Sequence, residues 1–373
     1  MKKWKVFVPV ALIVIAVVVV IIYRDTLEHM CKMYKFMKIV DVRNLTEEEK
    51  TLGAQVIVET CMRVKPGEKV LLIVQNDEKR RMIAKYDEAE VRRLGALPTV
   101  MYCEDEELTA EPPQRVIDEM MKSDVILAIL KLDEIQIFAH SKARNDATDN
   151  GARIGLAPLL IPRITPDDVL KIRERTDKVA DLMENSKIAR ITSADGTDLT
   201  MHIEGRKCER LRASMWEKGE WGAVPLYAEA ALAPIEGSTN GKYVINGFFE
   251  GVGRVTKPFT WVIKDGRIVE VVGDGPQAEK CREILAAADD NGTNVAELGV
   301  ATNHIIERIG LVGFSGTIID KMILGTVHVA CGKNLTFDGG TVFSNILHDV
   351  VSSGVTLELD GVKIIDNGKW LFD

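Results

Sequence analysis

The order of apolar runs between residues 69 and 130 constrains this chain more than any other feature. KVLLIVQ (Lys69 to Gln75) is followed by a charged helical stretch through Asp87 to Arg93, then Gly95, then PTVMYC. That strand, helix, glycine, strand order predicts a βαβ unit and therefore a mostly parallel sheet. A helix around Arg115 to Met121 and the run DVILAIL (Asp124 to Leu130) continue the pattern. Ahead of it, Thr46 with Glu49 resembles a capping box, Leu52, Val56, Ile57 and Cys61 follow at helical spacing, and Pro66-Gly67 marks a turn. HSKARNDATDNGAR reads as a polar loop leading into a helix, and Asp167 to Asn185 as a long amphipathic helix.

The texture changes near Lys187 to Thr192. Short strands and Gly or Asn/Asp turns then dominate, as in ADGTDLTMHIEG, NGKYVING, KDGRIVEV and LDGVKIIDNGKW. At 373 residues two domains are expected. Residues 39–190 are predicted to form an α/β N-terminal domain, and residues 191–373 a β-rich α+β C-terminal domain that binds metal.

Residues 1–38 are expected to be a transmembrane anchor and a juxtamembrane segment, because Val6 to Tyr23 is an uncharged run of 18 residues. This implies a single-pass membrane protein with one N-terminal transmembrane helix. Lys2, Lys3 and Lys5 on one side face Arg24, Lys32, Lys35 and Lys38 on the other, so charge leaves the side of the body open. A net charge of -8, from 48 basic and 56 acidic residues, argues against nucleic acid as a partner. The six cysteines form no C-x-x-C pair and read as ordinary buried thiols.

No Walker pattern, no G-x-S-x-G elbow and no H-E-x-x-H occurs, and GFFEGVG (Gly247 to Gly253) lacks the context of a nucleotide-binding loop. What remains is a set of acids and histidines in apolar, Gly-rich settings, where a charge is expensive unless paired or bound to metal. These are Glu229 in PLYAEAALAPIEG, Glu297 in NVAELGVATN, His328 in LGTVHVACG, and His348-Asp349 in SNILHDVVSSG. Carboxylate oxygen with imidazole nitrogen suits zinc, manganese, cobalt or ferrous iron. Each residue also has an ordinary reading: a hydrogen-bonded core histidine, a helix-start carboxylate, an exposed acid or a turn.

At these residues the chain resembles the aminopeptidase T and aminopeptidase S family of metallopeptidases. The resemblance lies in AELGVATN, GTVHVACG, AEAALAPIEGSTNG and GTDLTMHIEGR, and upstream in VETCMRVKPGEKVLLIV, so it runs from about Thr46 to the C-terminus. It implies a dimeric two-metal aminopeptidase, acting on peptides with zinc, cobalt or manganese. Glu229 would be the bridging carboxylate, Glu297 and His328 ligands to separate metals, His348 and Asp349 the last ligands, and Glu229 and Glu297 the catalytic carboxylates. Two positions depart from the family pattern: the last motif is Leu347-His348-Asp349 where the family has His-x-Asp, and Leu335 stands where it has a catalytic tyrosine. Relatives of the same fold, the 2,5-dihydroxypyridine dioxygenases, imply a single ferrous iron and a small ring substrate. A third possibility is a membrane-tethered relative that binds a ligand without turnover.

Overall fold

The computed structural model describes Met30, Cys31, Tyr34, Lys38 and residues 41–161, 163–309 and 318–372. The expected membrane anchor, Val6 to Tyr23, lies outside the described residues. Among the described residues no helix is long and apolar enough to cross a membrane. The assignment of this chain as a membrane protein is corrected accordingly: nothing in the structure supports it.

The first half builds strands β1 (Lys69–Gln75), β2 (Leu97–Cys103), β3 (Val125–Ile129) and β4 (Arg153–Leu156). β1 pairs in parallel with β2 and β3, and β3 with β4, as the βαβ reading predicts. Val70, Leu72 and Val74 enter one apolar core and Leu71 and Ile73 another, so both faces of the sheet are covered. The helix Glu47–Gln55 starts at the expected capping box of Thr46 with Glu49.

The segment expected to be a polar loop is instead largely helical, as Lys142–Asp149. Ser141 caps it by accepting from Arg144 N, Lys142 pairs with Asp146 one turn on, and the Arg144 guanidinium lies 3.9 Å from the Trp221 ring centroid. The polar residues serve as cap and ion pairs, which composition alone does not separate from a loop.

After β5 (Ile188–Ser193), β6 (Asp198–His202) and β7 (Glu209–Arg212), the chain returns to the first sheet. There β8 (Trp221–Ala223) adds in parallel beside β4, giving the order β2-β1-β3-β4-β8. The remaining strands are β9 (Ala228–Leu232), β10 (Asn240–Ile245), β11 (Phe248–Phe249), β12 (Gly253–Arg254), β13 (Phe259–Lys264) and β14 (Arg267–Val272). They continue as β15 (Val295–Ala301), β16 (Val327–Gly332), β17 (Leu347–Ser352), β18 (Val355–Leu359), β19 (Val362–Asp366) and β20 (Lys369–Trp370).

These strands form two antiparallel sheets, β14-β13-β10-β6-β5-β18-β19-β20 and β12-β11-β17-β16-β15-β9-β7. Asp265-Gly266, Asp360-Gly361 and Asn367-Gly368 have positive φ at both residues, the twist-matched turn that tightens each hairpin. Tyr243, Trp261, Leu298, Val300, Val327, Val329 and Val350 share one core between the sheets. The outer face of the seven-stranded sheet is left to carry the acidic residues.

The long helix Pro166–Glu184 ties the two halves together. Its cap, Thr165, forms a capping box with Asp168, which also accepts from Arg308 Nη1 (2.7 Å) and lies 3.1 Å from His304 Nε2. Burial alone would raise the Asp168 carboxyl, but these donors hold it well below the usual carboxylate range. Arg308 ends the short helix Ile305–Arg308, which follows β15, so this carboxylate fixes the end of a site-bearing strand. Removing it strands a half-exposed arginine and loses the side-chain half of the capping box. Asp168→Ala is expected to lower the unfolding free energy by about 2–3 kcal/mol in chemical denaturation. A loss below about 0.5 kcal/mol, the range of ordinary surface changes, would contradict this role.

Candidate metal centre

Strand alternation and register place the acidic residues on one face. Glu229 on β9 stands opposite Ala301 on β15 and Leu211 on β7. Glu297 on β15 stands opposite Ala330 on β16, which in turn stands opposite Asp349 on β17. His328 on β16 stands opposite Gly299, and Gly299 opposite Ala231. The floor is therefore made of Ala231, Gly299, Ala301 and Ala330, with the functional side chains rising between them. Small size at position 299 is required: a Cβ there would lie 2.0 Å from His328 Nε2.

A bulge in β15 aims Glu297. The register slips between Val295, opposite Cys331, and Glu297, opposite Ala330. Val295 thus enters the core between the sheets while Glu297, two positions on, faces outward with His328.

Glu229, Glu297 and His328 each offer a ligand atom, and these atoms all lie within 4.8 Å of one another. His328 Nε2 is 3.2 Å from Glu297 Oε1 and 3.3 Å from Glu229 Oε2. His328 is wholly buried, and Glu229, Glu297 and Asp349 are nearly so. Asp349 joins the cluster through Lys321, whose Nζ is 2.5 Å from Asp349 Oδ2 and 3.9 Å from Glu229 Oε1.

His348 does not join. β17 pairs with β16 without a register shift, so adjacent residues point to opposite faces, and the His348 ring meets Phe249 edge-on at 6.0 Å. The expectation that both members of the pair face one centre is corrected for this residue: only Asp349 does. Its neighbour on the site face of β17 is Leu347. Leu335, at the position of the family tyrosine, is about half exposed.

Four further residues surround the cluster. Lys321 comes from the short helical turn Ile318–Met322 ahead of β16. Tyr227, two residues before Glu229 and on its side of the chain, has its ring centroid 5.4 Å from Lys321 Nζ. Glu250, in the turn between β11 and β12, lies against the backbone of Asp349, and Glu209 shares the β7 face that points this way. Two-residue alternation around Glu229 and across β7 could have found Tyr227 and Glu209. Lys321 and Glu250 sit in turns with no periodic signal.

The electrostatics follow from burying many carboxyls beside one ammonium. Burial pushes Glu229 up to about 7, against the pull of Lys321 and His328, and pushes Glu250 up to about 7 with help from Asp349. Glu297 is raised well above its ordinary value by burial and by Asp349. Asp349 resists its own burial because Lys321 holds it down at about 2. Burial keeps His328 neutral, the form that ligates metal.

Glu229 Oε2 and Asp349 Oδ1 are buried without a hydrogen-bond partner. Such oxygens are costly unless a cation meets them, so the donor set fits a divalent ion. A polar groove of about 590 Å³ near Lys50, Asn76, Arg81 and Tyr86 shares no residue with the cluster.

Comparison with known proteins agrees with this architecture. Two solved structures superpose over 87% of this chain. The 2,5-dihydroxypyridine dioxygenase from Pseudomonas putida KT2440 does so with a TM-score of 0.69, 17% identity and 97% of its own length. Wild-type AmpT from Thermus thermophilus does so with a TM-score of 0.62, 16% identity and 100% of its own length. At such identities both likenesses establish the fold alone. No curated protein sequence matches. The model of one family, described as NicX: 2,5-dihydroxypyridine 5,6-dioxygenase, matches residues 55–371, and with most of the chain inside that match the protein belongs to this family.

Proposed function

We propose that this chain is a metal-dependent hydrolase that removes N-terminal residues from peptides, with Glu229, Glu297 and His328 holding a divalent ion. The observation that carries this reading is the donor set. The site face offers one imidazole among several carboxylates, and the second histidine, His348, is turned to the other face. Ring-opening oxygenases with a single iron commonly use two histidines and one carboxylate, so a carboxylate-rich face suits water activation better.

A bound divalent ion would polarise a peptide carbonyl and lower the pKa of a bound water. The protein's own part is then proton handling. Glu229 has a second carboxylate oxygen, Oε1, turned away from His328, and that oxygen can take the water's proton and return it to the leaving amine nitrogen. His328, held neutral and locked over Gly299, keeps its ring nitrogen turned to the two glutamates. The Tyr227 ring, beside Lys321, places a phenol at the same end of Glu229, while the position of the family tyrosine carries Leu335. Peptide substrate, zinc, cobalt or manganese as the ion, and a homodimer complete the reading.

A second reading, ring cleavage of a dihydroxypyridine with ferrous iron, is favoured by the family match over residues 55–371. One assay separates the two. The first reading expects free amino acids from unblocked peptides with zinc, cobalt or manganese, and none from N-acetylated ones. No release, together with oxygen uptake on 2,5-dihydroxypyridine and ferrous iron, would overturn it.

Two variants and a titration test the site itself. Gly299→Ala forces the His328 ring aside and is expected to weaken metal binding by about 10–100-fold, read by competition with a chelating dye. Unchanged affinity would show that His328 is not a ligand. In the metal-free protein, Glu229 is raised from 4.5 to about 7, so over that window the folded state holds more protons than the unfolded. Its contribution is most favourable below pH 4.5 and is lost as pH rises to about 7, by up to about 3 kcal/mol. Glu229→Gln should flatten that part of the stability profile, and saturating zinc should reverse its slope. A profile unaffected by either would contradict the assignment.

A further inference from the structure

We propose that the ammonium of Lys321 stands in one of the two cation positions of this cluster, so that the site accepts one divalent ion, at Glu229, Glu297 and His328. This rests on the metal-binding reading above and deepens it.

The cluster has two lobes that share Glu229. One oxygen, Oε2, faces His328 Nε2 at 3.3 Å, and the other, Oε1, faces Lys321 Nζ at 3.9 Å. The first lobe brings three ligand atoms within 4.8 Å of one another. In the second lobe Lys321 Nζ already lies 2.5 Å from Asp349 Oδ2. A divalent ion bound to that oxygen at about 2.0–2.2 Å would need the space the ammonium fills.

Ligand type points the same way. Around Lys321 the second lobe offers carboxylates, namely Asp349, the shared Glu229 and Glu250, which lies against the backbone of Asp349. It lacks the imidazole that the first lobe has. The next position on the site face of β17 is Leu347, which has no donor, and His348 packs on the opposite face against Phe249.

Lys321 is also built into place. Its side chain is almost fully buried, and its helical turn leads directly into β16, which carries His328. Its ring contact with Tyr227 and its ion pair with Asp349 hold the amine inward. Lys321 is thus a positioning residue. It keeps Asp349 ionised and orients one oxygen of Glu229, leaving the other for the metal.

The test is metal stoichiometry on the full chain, stripped with a chelator, re-equilibrated with excess zinc and desalted, with elemental analysis as the readout. Wild type is expected to retain about one equivalent per chain. The double variant Lys321→Ala, Leu347→His removes the ammonium and adds a donor beside Asp349, and is expected to retain about two. Two equivalents in the wild type overturn this proposal while leaving the metal site standing. Less than a tenth of an equivalent overturns both. A double variant that is folded by circular dichroism yet stays at one equivalent also contradicts the role given to Lys321. Should that variant fail to fold, the wild-type stoichiometry decides alone.

Discussion

Burial of several carboxyl groups on one sheet face, with an ammonium paired among them, is the constraint on which the rest of this structure depends. Glu229, Glu297 and Asp349 are almost wholly buried, and among the described residues Lys321 is the ammonium that reaches them. Groups this costly are held only where the scaffold over-determines their positions. Four devices do so. The antiparallel sandwich fills the inner face of the seven-stranded sheet with Leu298, Val300, Val327 and Val329. A bulge in β15 turns Glu297 outward, and Gly299 leaves room for the His328 ring. Asp168, which completes the capping box of the long helix, anchors the residues that follow β15.

The N-terminal architecture was legible because its signals are local and periodic. Fully apolar strands with an intervening helix and glycine can bury both faces only in a parallel sheet, and β1, β2 and β3 form one. The Asp-Gly and Asn-Gly hairpins read equally well, since few residues tolerate two consecutive positive φ angles. The return of the chain through Trp221–Ala223 to the first sheet has no such signature, being three residues long and defined by a long-range pairing. The polar stretch that proved to be the helix Lys142–Asp149 shows the limit of composition: its ion pairs and its arginine–tryptophan contact exist only once folded. Within the site, the structure brings together Glu229, Glu297 and His328, which lie on alternating strands whose direction periodicity can read. Lys321 and Glu250 lie in turns, where neither strand nor helix periodicity assigns a direction to a side chain.

The last motif shows how residue order along a strand decides which side chain reaches the cluster. Strand alternation makes the order Leu347-His348-Asp349 send its histidine into the inner face and its aspartate into the cluster. From β17 the cluster thereby receives a carboxylate and no imidazole, and Lys321 meets that carboxylate. A fold of this kind fixes the sheet, whereas the donors that face outward from it are set residue by residue.

Anomalous X-ray scattering from crystals of the zinc-loaded protein would test the central claim most directly. The account predicts one strong peak per chain, bonded at about 2.0–2.2 Å to Glu229, Glu297 and His328, with Lys321 still paired to Asp349. A peak bonded to His348, or no peak among these three residues at full loading, would contradict it.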